Sequence, residues 1–552
     1  MKKILTALCS LPVILLAGTE YYQAPAKKII ECGWATRLPI ARLAKDISAI
    51  EKSSPCSGMS IRLSGKDASG RVLFSSNTVS LPANSGMKRP YEFKREHFIR
   101  DIEILKNIKF KKFTDNFIVT TRRSGYADWF SDEDWKIVCG NFRLMAEIAR
   151  ECRLKGLILD LEWYRDVQPM FEKLPDGRNY EETSKMVRKR GQQWGKEVFG
   201  AYPDIKLLFF FLMAWKEDLS HTPECSSLLI HFINGIYDVL PPAATMIEGH
   251  EHHGYGAASD SDFARLRTDV STVFPRMIDK KNIEKYRRQT QFSCAYFLDA
   301  YLLESERKRS FAKRLAPGVD KYGVLNYLRR NLAKGMELSD EYVWIWSEAG
   351  RWYSGRPGHP DSKMIWEKHC PGVTEAFESV LSPLGFVKRK LAGKEYVNLL
   401  KNGNFSHPFD KRGMPEAFYF WQNIKGGRCV PENDSSNAPQ ISGVRATFTL
   451  SQSLQVRHDQ LYFVRSSIRT SGSSGKYALL CAFKDAAGRE CARRTSVSCR
   501  FVPSGKNGRR IAEMAVLVPG DAVIMHIRLL GSYQGDDDVL VCDRMEAYKI
   551  LE

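Results

Sequence analysis

Cysteine is scarce, with 13 in 552 residues. That is far from the density of a disulfide scaffold, and none of the spacings is the CxxC pair of a structural zinc site. Long apolar runs are absent beyond the N-terminus, so no later segment reads as a membrane span. The chain has no internal repeat and no low-complexity tract, and with 43% hydrophobic and 27% charged residues it is not disordered, collagen-like or fibrous. Acidic side chains are in short supply as well: 64 Asp and Glu face 83 Lys and Arg, a formal charge of +19. Such a surplus points to anionic partners, whether acidic polysaccharide, nucleic acid or a membrane surface, and says nothing of fold.

What is present begins with an export signal. Lys2 and Lys3 precede the apolar run Ile4 to Leu16, which ends in the small residues Ala17, Gly18 and Thr19, the three regions of a secretory signal peptide. The run falls short of the ~20 apolar residues that span a bilayer, so residues 1–18 are expected to be cleaved, leaving no membrane anchor. Cys9 lies inside the run and not behind it, where a lipid-modified cysteine would stand. The mature protein is expected to be secreted or periplasmic, in surroundings oxidising enough for Cys481, Cys491 and Cys499 to pair. Export also makes nucleic acid a poor partner, and no zinc-finger or single-strand-binding signature argues for it.

From residue 27 to residue 385, short apolar runs alternate with helical patterns, the mark of a parallel sheet built from βα units. Strands are expected near Lys28–Ala35, Gly58–Ser64, Asn116–Arg122, Gly156–Tyr164, Lys206–Ala214, Thr245–His250, Gln291–Asp299 and Tyr342–Glu348. Amphipathic stretches separate most of them, such as Asp132–Arg153 behind a Ser131 N-cap with Asp134 three places on, and Asp262–Thr272 behind Ser259. Eight such units make a (β/α)8 TIM barrel, with its longest irregular connection at about residues 65–115. A basic linker follows at 386–397, containing Lys388-Arg389-Lys390-Leu391-Ala392-Gly393-Lys394. In residues 398–552 the runs Leu461–Ile468, Ala478–Phe483, Met514–Val518 and Val523–Leu530 lie between Gly, Ser and Asp turns, which predicts an all-β jelly-roll sandwich. Its opening, Asn398-Leu399-Leu400-Lys401-Asn402-Gly403-Asn404-Phe405, and its end, Val541-Cys542-Asp543, resemble jelly-roll carbohydrate-binding modules of polysaccharide-degrading enzymes.

The active site of a barrel lies at the C-terminal ends of its strands, and here those ends are mostly acidic. In Gly156–Tyr164 a period of two sends Leu157, Leu159 and Leu161 towards the helices and Asp160 and Glu162 to the interior. In Tyr342–Glu348 the same parity turns Trp344, Trp346 and Glu348 inward, and Asp299 is in phase with Phe297. Cleaving a glycosidic bond needs one acid to protonate the leaving oxygen and a second group to stabilise or attack the oxocarbenium-like centre, with aromatic rings stacking on the sugars. A carboxyl beside another carboxylate, or against apolar rings, has its pKa raised and stays protonated near neutral pH. Glu162 is therefore the expected acid/base, Asp160 its electrostatic partner and Glu348 the nucleophile or second carboxylate. Trp34, Trp163, Tyr164, Trp344 and Trp346 are candidate substrate contacts, with Asp299 beside them. An acid that ends a strand also serves as a solvated loop residue or a helix cap, and inward tryptophans commonly fill the core.

The Gly156–Tyr164 segment resembles the fourth-strand signature of chitinase-type glycoside hydrolases, in which a strand ends Asp-x-Glu-Tyr and the Glu is the general acid. Asp160 and Glu162 match its last two acidic positions, whereas Ile158 stands where that family has a further Asp and Trp163 precedes the Tyr. The Glu348 ending is more similar to barrel glycosidases that use two Glu residues, one as nucleophile. The resemblance implies a glycoside hydrolase acting on a polysaccharide, and the positive charge suggests an acidic or sulfated one. No cofactor is implied.

The sixth run ends in the densest polar cluster, Glu248-Gly249-His250-Glu251-His252-His253-Gly254-Tyr255-Gly256. Glu248 and His250, in phase, are expected to point into the barrel mouth and, with Tyr255, to contact substrate. The cluster is not HExxH on a helix and no second cluster completes it, so no metal is assigned. Two rival readings stay open: a non-catalytic glycan-binding protein on a barrel scaffold, and a metal-dependent hydrolase centred on Glu248 to His253.

Overall fold

The computed structural model describes residues 27–33, 38–76, 90–121, 128–161, 177–213, 228–304, 319, 323–353, 364–424, 426–457, 460–472, 474–491, 496–504 and 508–551. The Met1–Gly18 segment lies outside the described residues, as do the expected site residues Trp34, Glu162, Trp163 and Tyr164. Among the described residues no helix is long and apolar enough to cross a membrane.

Parallel strands buried on both faces need continuous apolar runs, and those runs form the staves of a barrel. The first six in chain order are Lys28–Glu31, Gly58–Ile61, Phe117–Thr121, Gly156–Asp160, Lys206–Phe209 and Thr245–Glu248. The seventh is broken at Ser293 into Thr290–Phe292 and Cys294–Phe297, and the eighth is Tyr342–Trp346. The two halves of the seventh are the two ends of one nine-segment parallel sheet, Thr290–Phe292 pairing with the sixth stave and Cys294–Phe297 with the eighth. Ser293 N itself donates to Glu248 O at 2.8 Å, so the sheet comes round on itself. The fourth and eighth staves stand opposite one another in this ring.

The helix Asp132–Glu151 starts at Ser131, whose hydroxyl accepts from Asp134 N, and Ser259 with Asp262 forms a reciprocal capping box on Asp260–Thr268. The connection after the second stave is more regular than its sequence suggests. It holds a hairpin of Ser64–Lys66 and Val72–Ser75 and the helix Ile99–Asn107. Strands of three and four residues are too short to leave a readable alternation.

Register fixes which side chains fill the barrel, because partners in a parallel pair point the same way. Trp344 of the eighth stave and Phe210, just past the fifth, stack at 4.1 Å, and Tyr342 meets Phe117 of the third edge-on at 5.7 Å. These contacts cross the interior. Lys206, in phase with Phe210, pairs with Gly156 and Thr245, so Ile158, Asp160, Ile247 and Gly249 take inward positions by alternation. The N-terminal end is closed by charge: Lys28 Nζ lies 2.8 Å from Asp115, the Tyr342 hydroxyl donates to Asp115 at 2.7 Å, and Lys206 pairs with Glu341.

The C-terminal part is a sandwich of one five-stranded and one six-stranded antiparallel sheet. Phe448, Leu450, Leu479 and Ile527 from the first face Ile441, Val464, Met514 and Leu540 from the second. The expected basic linker begins inside a helix, Pro383–Leu391, in which Phe386 and Val387 pack on Leu461 and Phe463 of the six-stranded sheet. Lys388 pairs with Glu513, Arg389 with Glu378 and Lys390 with Glu375, so the cations of this run are neutralised where they stand. The described cysteines, Cys481, Cys491 and Cys499 included, are free thiols.

Candidate active site

An aromatic floor lies under the barrel mouth. Trp344 is fully buried, its indole Nε1 donating to Gly249 O at 2.9 Å, and its ring lies within 6° of parallel to Phe210. It fills the barrel, the blander of its two expected roles. Trp346, half-buried one turn of the pleat higher, meets Phe210 edge-on at 5.8 Å. Tyr255, from the short helix Glu251–Gly256, reaches Trp344 at 5.6 Å and Phe297 at 5.7 Å. Trp346 and Tyr255 are therefore the rings with surface to offer a ligand. Phe210, which meets both tryptophans, was absent from the expected set; counting by twos from Lys206 would have found it.

Two of the expected carboxylates stand at this mouth. Asp160 ends the fourth stave in the inward phase and is buried at 8% exposure. Glu348 follows the eighth stave and is exposed. Asp299, fully buried, holds the turn that carries Glu348: its Oδ2 accepts from Glu348 N at 2.6 Å and Ala349 N at 3.0 Å, and its Oδ1 from Gly350 N at 3.2 Å. Accepting from three successive backbone amides makes Asp299 a positioning residue for this turn. Glu31, another buried acid of the rim, accepts from Gly33 N and from the Trp352 indole.

The sixth stave departs from expectation. Gly249 and Ile247 take the inward phase there, so Glu248 and His250 face away from the mouth. The Glu248 carboxylate accepts from Leu212 N at 2.9 Å, Met213 N at 3.2 Å and His250 N at 2.7 Å. It ties the end of the fifth stave to that of the sixth. Burial pushes its carboxyl up, against the pull of His250 and of those amides. His250, in the left-handed region at φ 48°, turns its ring between Phe274, Phe292 and His253, with Nε2 3.5 Å from Asp269. A period of two cannot be carried through a left-handed residue, and the acid and histidine suggested the wrong starting phase. Among the described residues no group of three or more His, Cys, Asp and Glu is disposed to hold a metal ion. With Glu248 committed to amides, the metal-dependent reading loses its central carboxylate.

No protein-family model matches the chain, and no curated protein matches it. Among solved structures it is similar to the enzymatically active domain of bacteriophage CBA120 tailspike protein 4, at 14% identity over 28% of this chain and 22% of that one, with a TM-score of 0.21. A GH51 α-L-arabinofuranosidase matches at 15% identity over 29% of this chain and 27% of its own, with a TM-score of 0.21. A family 61 carbohydrate-binding module bound to β-1,4-galactotriose matches at 18% identity over 28% of this chain and 99% of its own, with a TM-score of 0.20. The chain thus spans about a fifth of the tailspike domain and about a quarter of the arabinofuranosidase. Likenesses at this level carry no argument about activity.

Proposed function

We propose that the barrel is a glycoside hydrolase that cleaves a polysaccharide by carboxylate acid/base catalysis, exported on the strength of Met1–Gly18. The observation that supports the reading is that Asp160 ends the fourth stave and Glu348 follows the eighth, two staves that stand opposite one another in the ring, with an aromatic floor in the barrel. Carboxylates facing each other across a mouth suit a bond that must be protonated on one side and attacked or stabilised on the other. Glu162, two residues beyond Asp160 in sequence, is the proposed acid/base, Asp160 its electrostatic partner, and Glu348 the nucleophile or second carboxylate. Trp346 and Tyr255 are the proposed stacking surfaces.

A panel of acidic and neutral polysaccharides with product analysis tests this. At least one is expected to be cleaved, and Glu162→Gln and Glu348→Gln are each expected to lower kcat by about 10²- to 10⁴-fold. Full activity in both variants refutes the assignment. A second reading, a glycan-binding barrel without hydrolysis, draws on Ile158, an inward and fully buried apolar side chain where the resembling family has an acid. Its outcome in the same panel is binding without product.

A further inference from the structure

The two outer faces of the sandwich differ in how their cations are matched. Strand pairing lays out the face of the five-stranded sheet row by row. One row runs Tyr419, Ser451, Arg528, Leu480, Ser498, and the next Trp421, Thr449, Leu530, Ala478, Arg500. A third runs Ser453, His526, Ala482, Ser496, with Ile524 and Lys484 beyond it. Phe420, Leu450, Leu529 and Leu479 alternate with these and point into the core, which fixes the phase. No Asp or Glu occurs in these three rows, and beyond them Glu490 bridges Lys484 across the strands. Arg528 has no carboxylate partner among the described residues, whereas Lys484 has Glu490 across from it. Across the sandwich the opposite holds: Arg465 pairs with Glu513 and Glu546, and Arg469 with Glu432 and Asp543, while Phe386 and Val387 cover Leu461 and Phe463. The open face is thus cationic by arrangement and not through a general surplus of base.

The same face carries two exposed rings. Tyr419 and Trp421 are 58% and 43% exposed on the edge strand. They are two residues apart, about 7 Å, and Arg528 lies two strands away, about 10 Å. Ser451 and Thr449 stand between, supplying hydroxyls. His526 Nδ1 shares a 2.6 Å hydrogen bond with Ser453, and its pKa is pushed down by partial burial and by Arg528 and Lys484 beside it, as a positive surface requires. Aromatic rings side by side stack on successive sugars. Cations spaced this widely suit a chain with occasional acidic groups, and fall short of the row of Lys and Arg that a phosphate on every nucleotide demands.

We propose that this face binds an anionic polysaccharide, with Tyr419 and Trp421 stacking on sugar rings and Arg528 meeting its acidic groups. The site is separate from the barrel mouth and stands whether or not the barrel hydrolyses. The test uses the full-length chain carrying Asp160→Asn, so that turnover does not consume the probe, in calorimetric titrations with polygalacturonate, chondroitin sulfate, neutral galactan and single-stranded DNA. Either acidic glycan is expected to bind more tightly than galactan, with affinity falling as salt rises; the two acidic probes separate carboxylate from sulfate recognition. Arg528→Gln and Trp421→Ala, both pointing outward, are each expected to weaken binding about tenfold, and Arg528→Gln to flatten the salt dependence. Arg465→Gln on the opposite face is expected to change nothing. Binding to neither acidic glycan overturns the proposal, as does equal binding to galactan. So does tighter binding to DNA through the same residues, or unchanged affinity in an Arg528→Gln protein that melts like its parent.

Discussion

Asp299, Glu248 and Glu31 are buried acids that accept from backbone amides and, at Glu31, from an indole, so carboxylates organise the fold around the mouth. His253 is the contrary case. Neither of its ring nitrogens has a hydrogen-bond partner among the described residues, and its pKa is lowered to about 4, first by desolvation and then by His250, His252 and Arg265, against a weaker pull from Asp269. In the unfolded chain the same ring titrates near 6.5. Between those values the unfolded chain holds a proton that the folded one refuses. The contribution is therefore full above pH 6.5 and is lost as pH falls towards 4. The ring is partly exposed, so the loss is on the order of 1 kcal/mol and not the full equivalent of the shift. Melting temperatures measured from pH 7 down to pH 4 are expected to fall more steeply for the natural protein than for His253→Gln; parallel curves would remove His253 as the cause.

At the scale of elements, close approach decides what glycine does. The helices Tyr180–Ala201 and Leu229–Val239 cross at Gly191 and Gly235, where an added Cβ would lie 2.1 Å from Phe232 O and 2.2 Å from Arg188 O. Backbone on both sides cannot yield, so Gly235→Ala is expected to cost about 1–3 kcal/mol or more. Gly140, in the helix Asp132–Glu151, faces open space, and Gly140→Ala is expected to stabilise by about 0.5–1 kcal/mol. Chemical denaturation of the two variants reads both signs. The eight staves were legible because each is an apolar run bounded by turns, a local signal. Inward phase was legible on the fourth and eighth, where Leu157 and Leu159, or Val343 and Ile345, alternate cleanly with other residues. On the sixth it was not, since the phase of Glu248 depends on the pairing of Thr245 with Lys206, a long-range fact that a local pattern does not contain. The Pro383–Leu391 helix was hidden for the same reason: Lys388, Arg389 and Lys390 look like a solvated linker until Glu513, Glu378 and Glu375 are brought to them.

That helix is what joins the molecule. Arg389 and Lys390 reach back to Glu378 and Glu375 on the helix Val373–Leu381, while Phe386 and Val387, almost wholly buried, belong to a cluster with Leu461 and Phe463 of the sandwich. A helix with one side on each half transmits unfolding between them, whereas a flexible linker would let them melt apart. Exposed ion pairs contribute at most about 1 kcal/mol, so the coupling rests on the apolar side. Lys388→Ala is accordingly expected to leave thermal unfolding unchanged. Phe386→Asp removes a buried ring and puts a charge in its place, at about 3–5 kcal/mol, all of it at the junction. Scanning calorimetry is expected to show one cooperative transition for the natural protein and for Lys388→Ala, and two for Phe386→Asp, with cleavage by protease appearing near Gly393. A single unshifted transition in Phe386→Asp would mean that the helix rides on the barrel alone and that the sandwich is held by other contacts.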